Sequence, residues 1–163
     1  LFCQMTEQEQ AEKTYHNILN LVWEFLTVKG AKINFENQLE KLEEIIPDVN
    51  DYDFFGVVPA LDACEALGEL LHAIIAGETL EKAIQISQIS LGTVCSLLET
   101  QEDRDLSETE LKGREEIEEE LDLQWQIYRL LKDCEKRDVD LILSLRNEIK
   151  QEGISNIGIK IEQ

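Results

Sequence analysis

The chain has 163 residues, enough for one domain whose core needs neither metal nor disulfide as a staple. Its 35 acids and 15 bases leave a net charge of −20, which repels polyphosphate and anionic lipid and argues against direct nucleic-acid or membrane-surface binding. No apolar run approaches the roughly 18 residues of a membrane span, and only Pro47 and Pro59 interrupt helix formation.

The first residue is Leu1 rather than Met, so we expect a segment upstream of it; within these residues there is no secretory signal pattern. Thr6 and Glu9 have the T-x-x-E spacing of a capping box. Behind them Tyr15, Ile18, Val22, Phe25 and Leu26 recur at helical spacing, with Gly30 as a stop. Asn34 then caps a second helix, whose apolar stripe is Phe35, Leu39, Leu42 and Ile46 and whose terminator is Pro47. Residues 48–56 read as a loop. Pro59 suits the first turn of a third helix, which Gly77 closes. Thr79 caps a fourth almost at once, which predicts an antiparallel hairpin.

From Ala83 to Leu98 this fourth helix carries no charged side chain. Apolar residues on more than one face predict a buried helix at the centre of the bundle, with Ser87, Ser90 and Gly92 allowing close approach of neighbours. Glu99 to Asp122 follows with 12 acids and 3 bases. Ser107 and Glu110 form a second capping box, and Gly113 separates a short turn from the helix after it. That helix shows Ile117, Leu121, Trp125, Tyr128, Leu131 and Cys134. Its periodicity runs on to Ile149, as one very long helix or as two divided near Arg137–Asp138, where Asp138 would be a good cap. Ile157, Ile159 and Ile161 alternate, as in an extended tail packed on the body. The expectation is an all-α, single-domain bundle of five to seven helices over residues 1–163 with a short extended C-terminal tail.

Cys3, Cys64, Cys95 and Cys134 show no C-x-x-C spacing. The last three sit among apolar helical residues, as core cysteines in a reducing, cytoplasmic protein would. Trp23 and Trp125 fall at helical spacing and read as core more readily than as interface anchors.

Glu69 and His72 form a Glu-x-x-His pair, the spacing that lets two residues on one helix face grip an ion. Glu65 lies near them, and His16, four residues after Glu12, could join if the fold brings it close. A two-metal site wants two such pairs and this chain has one; a solvated helix face explains these residues as well. Asp51, Asp53 and Asp62 resemble part of a calcium loop, but Phe55 occupies a ligand position and Asp62 stands where the bidentate Glu belongs. No phosphate-cradling or nucleophile-elbow motif occurs, and no cofactor is implied.

Several stretches resemble the YjaG-like family of bacterial proteins of unknown function: Leu26-Thr-Val-Lys-Gly-Ala-Lys-Ile-Asn-Phe35, Gln38-Leu-Glu-Lys-Leu-Glu-Glu44, Pro59-Ala-Leu-Asp-Ala-Cys64, Ser107-Glu-Thr-Glu-Leu-Lys112 and Ser155-Asn-Ile-Gly-Ile159. The resemblance covers nearly the whole chain. It implies a compact, cytoplasmic helical protein with an additional N-terminal segment, and no activity, ligand or catalytic residue.

The residues themselves favour a non-enzymatic acidic protein that binds a basic protein. The carboxylates are Glu115, Glu116, Glu118, Glu119, Glu120 and Asp122. One version of this role is a decoy for the phosphate array of DNA. The alternatives are a metal–carboxylate protein or enzyme using Glu65, Glu69, His72 and His16, and a homodimer joined through leftover apolar faces of the last helix.

Overall fold

The computed structural model describes residues 2–134 and 136–159, with the side chain of residue 152 left aside. It contains α1 (Phe2–Met5), α2 (Glu9–Thr27), α3 (Phe35–Glu43), a 3₁₀ turn (Val49–Asp51), α4 (Val57–Ala76), α5 (Thr79–Glu102), α6 (Glu108–Leu111), α7 (Glu115–Leu131) and α8 (Val139–Glu152). Six of these are helices of nine residues or more and two are single turns. There is no strand among the described residues, so the protein is all-α as the sequence predicts. None of the helices described is long and apolar enough to cross a membrane.

Most boundaries follow local chemistry. Asn34 accepts from the Asn37 N–H at 3.0 Å, and Asp138 from the Leu141 N–H at 3.0 Å, each supplying an acceptor to a free helix-start donor. Asp138 thereby divides α7 from α8. Gly77, at φ +78°, closes α4 in the left-handed conformation that glycine adopts without strain. Two expected caps differ. Thr6 does not start α2: its hydroxyl donates back to the Phe2 carbonyl at 2.9 Å, and Glu7 turns to φ +56°, so Thr6 ends α1 instead. Thr79 is the first helical residue of α5, with Glu78 in the cap position.

The helices enclose two apolar clusters. In the first, Ile18 and Val22 of α2 meet Phe35 and Leu42 of α3 and Cys64, Leu67 and Leu71 of α4. Intervals of three, four or seven place each set on one helix face. In the second, Val94 and Leu98 of α5 pack with Leu106 and with Ile117 of α7, and Ile157 closes over them from the tail. The α4–α5 hairpin joins the two. Thr93 donates to Asp62 at 2.6 Å and Lys82 pairs with Glu69 at 2.6 Å along it.

The helix expected at the centre, α5, is only partly enclosed. Thr93, Val94 and Leu98 are buried, but Leu80 and Ile84 are exposed. Its lack of charge has another cause: α5 lies between α4 and α7, and its uncharged polar side chains bond to both. Ser87 and Ser90 reach α7, as close approach requires, whereas Gly92 faces open space. Cys134, expected in the core, is exposed, and Cys95 is half-buried. Past Gly153 the chain packs on α5 through Ile157, with Ser155 and Ile159 closing a turn (N···O 2.9 Å); Ile161 lies outside the described residues.

Burial sets the energetic ranking. Leu71→Ala should cost about 3 kcal/mol, because the side chain is fully enclosed and its loss leaves a cavity. Leu80→Ala should change stability by less than about 0.5 kcal/mol. Urea denaturation of the two variants measures the difference.

Candidate binding surface

Three acids in the first turn of α7, Glu115, Glu116 and Glu118, complement the partial positive charge of the helix start. The two arginines of the preceding connector are already occupied. Arg104 pairs with Glu102 at 2.7 Å and with Glu110 at 2.8 Å, and Arg114 pairs with Glu102. Among the described residues no ion pair reaches Glu115, Glu116, Glu118, Glu119 or Asp122. All five are exposed.

Glu120 does not belong to this face. It is 5 % exposed and accepts from the Ser90 hydroxyl at 2.7 Å and the Gln124 amide at 2.7 Å. Gln124 in turn donates to the Ser87 carbonyl at 3.2 Å. The covered line of α7 is therefore Ile117, Glu120, Gln124 and Ile127, with two polar residues in it matched to two serines of α5. The apolar line expected from sequence, through Leu121, Trp125 and Tyr128, lies to one side and is exposed. Trp125 and Tyr128 meet edge to face with centroids 5.5 Å apart, and Arg129 stands 5.8 Å over the indole. Reading Trp125 as core is thus corrected; only pairing the serines of α5 with α7 in advance would have found it.

The four residues considered as metal ligands do not gather. Glu69 is held by Lys82, Glu65 and His72 are exposed on α4, and His16 is exposed on α2 with Glu12 at 4.0 Å. Among the described residues no group of three or more His, Cys, Asp or Glu is placed to hold an ion. Asp62, the last position of the calcium-like run, is bound by Thr93 instead.

A cavity of about 220 Å³ opens between α1, α2 and the start of α4, lined by Cys3, Glu12, Tyr15, His16 and Cys64 among others. Burial pushes the Cys64 thiol up to about 11 and the Tyr15 hydroxyl up to about 12. Cys64 thus stays a neutral thiol at physiological pH and behaves as a small hydrophobe. A disulfide-exchange reagent at pH 8 should label Cys134 quickly and Cys64 only after unfolding.

The connector offers a pH test. Both the hydroxyl (2.6 Å) and the backbone N–H (3.0 Å) of Ser107 donate to Glu110. These bonds, with Arg104 adding to them, hold the Glu110 carboxyl at about 2, below its ordinary 4.5. A depressed folded value means the contribution is present above about 4.5 and is lost as pH falls through about 2. Carboxyl-carbon NMR should show that midpoint, and Ser107→Ala should return it towards 4.5.

Over residues 1–160 the chain matches the model of a family described as protein of unknown function, DUF416. It is similar to an uncharacterized protein of Haemophilus influenzae, 73 % identical over 163 residues, covering 100 % of this chain and 83 % of the relative. It is also similar to the uncharacterized protein YjaG of Escherichia coli K12, 50 % identical with the same coverage. Among solved structures, a DUF416 family protein from Shewanella baltica superposes with a TM-score of 0.83 at 34 % identity, covering 91 % of this chain and 77 % of that one. The chain belongs to the DUF416 family, the YjaG-like proteins of unknown function.

Proposed function

We propose that this protein is a non-enzymatic binding module that presents the outer face of α7 to a basic protein. The observation that carries the reading is the set of five exposed carboxylates, Glu115, Glu116, Glu118, Glu119 and Asp122, none held by an ion pair among the described residues. Such a cluster costs self-repulsion in the free protein and gains from a complementary surface. Trp125, one turn beyond Asp122, adds an exposed aromatic of the kind that anchors interfaces. The setting in this reading is the cytoplasm, where the four free thiols stay reduced.

Affinity capture from a cognate lysate tests the reading. A stoichiometric basic protein should be retained at low salt and released at high salt. It should be absent when Glu115, Glu118 and Asp122 are all changed to Lys. Retention that ignores salt, or that survives the triple change, would overturn it.

A further inference from the structure

The bonds between α5 and α7 fix a register. Ser90 meets Glu120 and Ser87 meets Gln124, so the two helices run antiparallel, about three residues of one against four of the other. Continued one turn, that register puts Ile84 opposite Ile127 and Tyr128. Continued two turns, it puts Leu80 opposite Leu131. Among the described residues α8 packs chiefly on α2 rather than over this end. Leu80 is accordingly 76 % exposed, Ile84 51 %, Trp125 55 % and Tyr128 56 %. Single exposed apolar side chains are ordinary; a run of them along two adjacent helices marks a contact surface.

Spacing and charge define what fits there. Leu121, Trp125 and Tyr128 are one turn apart along α7, as are Leu80 and Ile84 along α5, which suits a third helix with apolar residues at intervals of three and four. Acids frame the groove: Glu78 and Glu81 at the start of α5, Glu118 and Asp122 on α7. The neighbouring bases are engaged. Lys82 pairs with Glu69, Lys132 lies 3.9 Å from Asp133, and Arg129 stands over Trp125. A second copy would bring the same acids against this rim.

We infer that the open end of the α5–α7 pair is a groove for a basic amphipathic helix of a partner protein, with Trp125 and Tyr128 as its anchors. This rests on the proposed acidic binding face and adds the apolar half of the recognition.

The test uses two 18-residue peptides of identical Leu, Trp and Lys content. One has its apolar residues on a single helical stripe; in the other they are scattered. Calorimetry with the full chain should show the striped peptide binding at least tenfold tighter. Trp125→Ala with Tyr128→Ala should remove at least tenfold of that affinity, and peptide addition should slow amide exchange over residues 80–84 and 121–131. Because both substituted side chains are exposed, circular dichroism should be unchanged. Equal binding of both peptides, lost on charge reversal but not in the aromatic variant, would overturn the groove and leave the acidic face standing. No binding of either peptide would overturn both. A dimer by sedimentation that the aromatic variant dissociates would assign the groove to a second copy instead.

Discussion

Glu120 lies almost out of reach of solvent between α5 and α7, and burying a carboxylate costs several kcal/mol unless hydrogen bonds replace the lost water. Here Ser90 and Gln124 supply them, and Gln124 is itself fixed by Ser87. Because a half-satisfied group of this kind is worse than an apolar contact, the seam permits one register. A rotation of α7 by one residue would bring Leu121 inward, apolar and well suited to burial, but would strand Ser87 and Ser90. The hydrogen-bonded seam thus outweighs the better hydrophobic match, and the consequence is that Leu121, Trp125 and Tyr128 face outward.

The same seam explains which parts of the structure could be read from the sequence. Where apolar periodicity and turn chemistry agree, as in α2, α3 and α4, the stripe Ile18–Val22, the Asn34 cap and the Gly77 terminator appear where the pattern puts them. In α7 the apolar arc is wider than one neighbour can cover, so periodicity alone cannot say which part is buried. The deciding residues are polar, and their partners lie 30 or more positions away in α5. The first turn differs for a local reason: the Thr6 hydroxyl donates back to the Phe2 carbonyl and Glu7 turns into the left-handed region, so the chain closes α1 before α2 begins.

A second long-range docking mode appears at α8, none of whose described side chains is fully buried. It is held to α2 partly by cation–π contacts, with its Arg146 5.3 Å over Trp23 and Arg137, just before its cap, 5.6 Å over Phe25. Arg146 also donates to Asn20 at 2.8 Å. Each such stacking is worth about 0.5–1 kcal/mol at an exposed site, less than burying a leucine. Trp23, therefore, serves neither as core nor as a free anchor but as a platform for the last helix.

Together these contacts consume the chain's arginines. Arg104 and Arg114 are spent on Glu102 and Glu110, Arg129 on Trp125, and Arg137 and Arg146 on the rings of α2. Arginine is the residue best suited to holding carboxylates in paired, planar geometry. With all five engaged in these contacts, the outer carboxylates of α7 receive none. The acids of α7 thus stand without arginine partners on the helix whose aromatic flank is also uncovered. The proposed binding face rests on this juxtaposition of exposed carboxylates with the exposed Trp125.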